Sequence, residues 1–244
     1  MSEQRTPEWF QARLGKLTAS RIADATARTK TGWGASRANY MAELLAERLT
    51  GQQAPQGAWT KSAAVEWGTL NEPEARTVYE FERNVTVVEV GFVPHPTIEM
   101  SGASPDGLVV DDGLVVEIKC PNTATHIESL LGAEIDSRYI KQMQWQMVCT
   151  GQQWCDFVSY DPRLPVAMRM LITRVPRDDK VIAKLEAEVT EFLTELAVKE
   201  ARLRDKYVSL LDQLRRSATV IISDGSPSAA FSTGTSTVTI PDGV

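Results

Sequence analysis

Residues 104–121 read SPDGLVVDDGLVVEIKCP: two short apolar runs flank Asp111-Asp112-Gly113, with acids at 106 and 117 and a lysine at 119. An Asp-Gly pair between alternating apolar segments is a strong short-range signal for a β-hairpin. If Asp112-Gly113 forms a two-residue turn, Asp111 pairs with Leu114, Val109 with Val116, Leu108 with Glu117, and Asp106 with Lys119. Strand alternation then sets Glu117 and Lys119 on one face, and Asp106 joins them from across at about 5 to 8 Å between Cβ atoms. A three-residue turn would shift that register. Ile118 would point to the opposite face, into a core, leaving its carbonyl available.

The flanking sequence decides what this hairpin belongs to. Apolar residues at 3-to-4 spacing, broken by Pro and Gly, predict helices near Pro7 to Leu14, after Thr18, from about Ser36 to Leu49, and from about Ser62 to Phe81. VTVVEVGFV (85–93), GLVV and LVVEIK are β-branched runs bounded by turn residues, which reads as a meander of antiparallel strands. Helical spacing returns from Thr125 to Leu131 and from Ser137 to Cys149, and the runs WCDFVSY and AMRMLITRV follow as strands. The order predicts a mixed α/β sheet with helices packed on it.

A long helix is expected from Arg177 to Arg216, with apolar residues at Ile182, Leu185, Val189, Phe192, Leu196, Leu203, Tyr207 and Leu210. Such a stripe serves either its own core or a partner seam. The small polar residues that end the chain suggest a mobile tail or peripheral ribbon from 218 to 244, leaving 1–217 as one domain.

Composition narrows the function classes. The 244 residues are 43% hydrophobic and 24% charged, ordinary for a soluble globular protein. No stretch approaches the roughly 18 apolar residues of a membrane span, and MSEQRTPEW lacks a signal-peptide core, so a cytosolic protein with no membrane role is expected. Cys120, Cys149 and Cys155, with only His95 and His126, offer neither a disulfide framework nor a zinc or iron–sulfur ligand set. The net charge of −6 argues against indiscriminate nucleic-acid coating, yet residues 1–40 carry seven basic residues against three acids. That asymmetry permits an anionic partner at one face.

Two carboxylates at the hairpin spacing can share a hard cation such as Mg2+, which takes oxygen ligands and keeps several waters. A lysine beside them can hold or activate the attacking water and offset charge on a phosphate. Acids and lysines also decorate solvated strand faces, so the pattern alone leaves both readings open.

Ser-Pro-Asp106-Gly followed by Glu117-Ile-Lys119-Cys-Pro resembles the PD-(D/E)XK nucleases, and specifically the lambda exonuclease or YqaJ-type viral recombinase family. WFQARLGKLTAS (9–20), EWGTLNEPEARTVYEFE (66–82), YIKQMQWQM (139–147) and YDPR (160–163) stand in the same order as the family's motifs. The resemblance implies a restriction-endonuclease-like fold: one domain with a helical N-terminal part, a mixed sheet flanked by helices and a long C-terminal helix. It implies Mg2+, with Mn2+ able to substitute, bound by Glu72, Asp106, Glu117 and the Ile118 carbonyl. Lys119 would assist the water and Gln142 would act near the site, three residues after Tyr139 on one helical face. Arg13 and Ser20 match the residues that hold a terminal 5′-phosphate. Trp9, Arg28, Lys30, Val65, Ser104 and Tyr139 are possible DNA contacts; Val65 stands where the family can place a larger apolar wedge.

The implied activity is 5′-to-3′ degradation of one strand of linear duplex DNA, leaving a 3′ overhang for single-strand annealing. A homotrimeric ring, a partner annealing protein, a phage or prophage origin in a bacterial cytoplasm and an alkaline working pH are implied with it. The alternatives are a restriction or junction-resolving endonuclease on the same fold, a non-catalytic DNA-end-binding module, and an adaptor built on the C-terminal helix and tail.

Overall fold

The computed structural model describes residues 4–53 and 63–223, with side chains to residue 207. The chain divides into two compact units, Met1–Glu200 and Ala201–Val244. Everything described below belongs to the first unit; of the second, the structure describes the continuation of the last helix to Ser223. The remainder of the expected tail lies outside the described residues.

Local chemistry starts several helices where the sequence indicates. Helix α1 (Pro7–Arg13) has Pro at its start, and the Thr6 hydroxyl accepts the Trp9 N–H at 3.2 Å. A 3-10 turn (Ala19–Arg21) leads into α2 (Ile22–Ala25), and α3 (Ala35–Thr50) and α4 (Ala63–Arg83) follow. Asn122 caps α5 (Thr123–Leu130), and Asp136 caps α6 (Ser137–Thr150). Helix α7 (Asp179–Ser223) buries Ile182, Leu185, Val189, Phe192 and Leu196, so this part of the apolar stripe serves the chain's own core.

The main sheet has four strands in the order β6 (Gly107–Val109), β7 (Leu114–Lys119), β8 (Trp154–Tyr160) and β9 (Met170–Pro176). β7 and β8 run parallel, joined through α5 and α6; the outer pairings are antiparallel. A smaller sheet orders β1 (Leu17–Thr18), β5 (Ser101–Ala103) and β4 (Val93–Pro94), and β2 (Arg28–Thr29) pairs with β3 (Gly32–Trp33). No helix among the described residues is long and apolar enough to cross a membrane.

Alternation along β7 separates two cores. Leu114, Val116 and Ile118 face Ala75 and Tyr79 of α4, while Val115 packs with Met143 and Met147 of α6 and with Cys155 and Phe157 of β8. Ile118 therefore enters the core opposite Glu117, as the sequence predicts. A third core gathers α2, α3 and α7 around Trp145, whose indole N–H donates to Ser101 Oγ at 3.1 Å and whose ring stacks on His95. Trp145→Ala is expected to lower the unfolding free energy by about 3–5 kcal/mol, read from urea denaturation.

Two sequence expectations are corrected. The hairpin register is Gly107 with Val116, Leu108 with Val115 and Val109 with Leu114, so residues 110–113, not two residues, connect the strands. A type I′ two-residue turn needs positive φ at both central positions. Only Gly113 has it, at 64°, and its N–H instead closes a turn onto the Val110 carbonyl at 3.2 Å. The shift is two residues, which preserves faces, so Asp106 still joins Glu117 and Lys119.

VTVVEVGFV is not a strand either. It makes one bridge, Val88 with Leu108, before β4 begins at Val93. Its would-be partner β6 is three residues long and offers no longer ladder, so this β-branched run is spent on packing instead. Gly107 permits that packing, because a Cβ there would overlap Val87 Cγ1.

Candidate active site

Glu117 is fully buried on the α6 side of β7. Gln142 donates to its Oε1 at 2.6 Å, Gln146 donates to its Oε2 at 2.5 Å, and the Lys119 ammonium also contacts Oε1. Lys119 Nζ lies 5.2 Å from the centre of the Tyr139 ring, so the first turn of α6 covers the lysine. Asp106 comes in from the β6 side, and its Oδ2 accepts the Ile118 N–H at 2.7 Å.

The electrostatics are those of a buried acid short of positive charge. Burial and then the Glu117 charge push Asp106 well above the usual carboxylate range, with Glu72 adding to the shift; Lys119 and the Ile118 N–H only partly offset it. Lys119 is pulled down by burial, but Glu117 and Asp106 together outweigh that and raise it above an ordinary lysine. Oxygen donors in this state fit a hard cation, which needs only one or two carboxylates when it keeps its waters. Glu72 does not complete a tight set. Arg5 holds its Oε2 at 2.7 Å and Arg76 its Oε1 at 3.1 Å, and among the described residues no three His, Cys, Asp or Glu side chains converge as ligands.

The basic N-terminal residues adjoin this cluster through Ser104, two positions before Asp106. Trp9 Nε1 donates to Ser104 Oγ at 3.0 Å, Arg13 Nη1 donates to the same oxygen at 3.2 Å, and the guanidinium stacks 4.1 Å from the Trp9 ring. Burial lowers the Arg13 pKa to about 10, against the weaker opposing pull of Tyr40 and Glu47. A desolvated guanidinium of this kind gains most from a bound anion. Gln4 extends the same strap, donating to the Pro105 carbonyl at 2.6 Å.

The other candidates lie on other elements. Ser20 is exposed in the 3-10 turn, its hydroxyl 3.3 Å from that of Thr18, whose N–H donates to the Tyr40 hydroxyl. Arg28 lies on β2, ion-paired with Glu188 and stacked on Trp33; Lys30 is exposed in the β2–β3 turn. Val65 opens α4 and is 42% exposed.

One residue that the sequence did not flag, and one motif to which it gave no role, complete the picture. Gln146 lies one turn beyond Gln142, and only that i, i+4 spacing in YIKQMQWQM hinted at it. YDPR ties β8 to α4, the helix of Glu72. Tyr160 donates to Glu74 at 2.7 Å, and Arg163 lies 4.2 Å from the Trp67 ring while bonding Asp161. Those Arg163 bonds hold the Asp161 carboxyl down at about 2.

Residues 8–153 match the model of the YqaJ-like viral recombinase domain. The chain is similar to the alkaline exonuclease LHK-Exo from Laribacter hongkongensis, at 54% identity over 84% of this chain and 100% of that one, with a TM-score of 0.76. It is likewise similar to LHK-Exo in complex with dAMP, at 53% identity, the same coverage and a TM-score of 0.77. A phage-related exonuclease from Haemophilus somnus shares the fold at 16% identity, over 77% of this chain and 96% of that one, with a TM-score of 0.62. Comparison with curated proteins found no match.

Proposed function

The chain belongs to the YqaJ-like viral recombinase domain family, and from that premise we propose that it is a Mg2+-dependent exonuclease degrading one strand of linear duplex DNA from its 5′ end. Nuclease action in recombination follows from family and from similarity to an alkaline exonuclease. The finer reading rests above all on one observation: Arg13, desolvated by burial that Tyr40 and Glu47 only partly offset, shares Ser104 with Trp9 two residues from Asp106. A 5′-phosphate seated there puts a strand end beside the acids, and positioning then supplies directionality.

Asp106, Glu117 and the Ile118 carbonyl would hold the cation, with Glu72 as a further acid beside them. Bound Mg2+ supplies polarisation of the phosphoryl oxygens and a more acidic water; Mn2+ would substitute. Lys119 orients the attacking water and offsets charge on the phosphate, and Gln142 steadies Glu117. Arg13 and Ser20 take the 5′-phosphate; Trp9, Ser104, Tyr139, Arg28, Lys30 and Val65 contact the flanking DNA. A homotrimeric ring would retain the duplex despite the net negative charge, because encirclement needs basic residues only along the channel. The 3′ overhang would pass to a single-strand annealing protein in a bacterial host's cytoplasm, the gene being of phage or prophage origin.

Duplexes with one 5′-phosphorylated and one 5′-hydroxyl end, labelled on each strand in turn, test this. The wild type should consume the phosphorylated strand from its 5′ end and leave the complement as a 3′ overhang. Arg13→Ala should lose about 10- to 100-fold in rate on phosphorylated ends and little on hydroxyl ends, the scale of a charged hydrogen bond. Digestion from 3′ ends, or an undiminished phosphate preference in Arg13→Ala, would refute it.

A further inference from the structure

Gln146 is fully buried on α6 beside Met147 and near Met143. Its amide nitrogen donates to Glu117 Oε2, while Gln142, one turn earlier on the same helical face, donates to Oε1. The two carboxamides thus grip the two oxygens of one carboxylate. Among the described residues the other half of the Gln146 amide has no partner: its carbonyl oxygen is buried without a hydrogen-bond donor. A buried acceptor in that state opposes folding. Rotating the amide would be worse, since the carbonyl would then face the Glu117 carboxylate and the NH2 group would be orphaned instead.

Glu117 alone therefore dictates the orientation of this side chain. The core cluster on this face of β7 is apolar, with Val115, Met143, Met147, Cys155 and Phe157; an apolar residue of similar volume would remove the orphaned carbonyl but leave Glu117 Oε2 without the Gln146 donor. We infer that Gln146 is a positioning residue that fixes the rotation of the Glu117 carboxylate so that it and Asp106 present their oxygens to one divalent cation. This rests on the metal-dependent reading above.

Mn2+ titration followed by electron paramagnetic resonance, together with urea unfolding of the metal-free protein, tests the inference on wild type, Gln146→Met, Glu117→Gln and the double variant. Gln146→Met should weaken Mn2+ binding about 10- to 100-fold, the range for a residue that orients a metal ligand, while the unfolding midpoint reports the balance between the orphaned carbonyl it removes and the Glu117 oxygen it leaves without a donor. In the Glu117→Gln background it should change Mn2+ binding no further, because the residue acts only through Glu117. Should Gln146→Met fail to fold, Gln146→Leu carries the same measurement. A lowered midpoint with unchanged Mn2+ affinity, or an equal loss in both backgrounds, would overturn the inference while the metal reading stands. Wild type that binds no Mn2+ and digests DNA without any divalent cation overturns both.

Discussion

Lys119→Met is expected to slow phosphodiester hydrolysis by about 10²- to 10⁴-fold, the range for a positioned group that handles a proton or developing charge. Methionine keeps the apolar stem beside Tyr139 and removes only the ammonium. Because Glu117 and Asp106 raise the lysine above its ordinary value despite burial, it stays charged through the alkaline range. In the proposed mechanism it would then serve as a fixed cation and water-holding donor, not as a base that must first lose a proton. Single-turnover digestion of a linear duplex reads the effect, with Mn2+ binding measured in parallel. Binding should survive in the variant; a wild-type rate in Lys119→Met contradicts the role.

Asp106→Asn should do two opposite things. Hydrolysis should fall by more than the roughly 10- to 100-fold typical of losing a metal's outer-shell partner, because this residue is proposed as a direct ligand. The metal-free variant should nevertheless melt at a higher temperature than wild type at neutral and alkaline pH. Asp106 in the folded chain sits well above the usual carboxylate range, from burial first and Glu117 second. Between the ordinary value and that raised value the folded state holds a proton that the unfolded chain has released, so stability declines as pH rises through this window. Asparagine has no such titration, and its carbonyl still accepts the Ile118 N–H. Mg2+ should narrow the difference by stabilising only the wild type. Melting curves against pH, in chelator and in Mg2+, check this; a variant that melts lower in chelator at neutral pH contradicts it.

The sequence made the convergence of Asp106, Glu117 and Lys119 legible because side-chain alternation survives a two-residue change of register. The register itself was not legible, since it depends on whether Asp112 takes positive φ, and an aspartate can do either. VTVVEVGFV misled for a related reason: β-branched residues suit any half-buried surface, and the length of the facing strand is a tertiary fact. The N-terminal charge excess was a coarse guide. Arg21, Arg28 and Arg37 are paired with Glu43, Glu188 and Glu195, two of these acids lying far along the chain. Arg13 is the residue that reaches Ser104. Gln146 and the Arg5–Glu72 pair escaped notice because their meaning lies in what they touch across the fold.

The most direct test of the account uses one plasmid in two forms, linearised and covalently closed, incubated with the wild-type protein in Mg2+ and in chelator. Complete digestion of the linear form in Mg2+ alone, with the closed circle intact, is the expected result for an end-dependent site built on Asp106, Glu117 and Lys119. Cleavage of the closed circle, or digestion of the linear form in chelator, would contradict it.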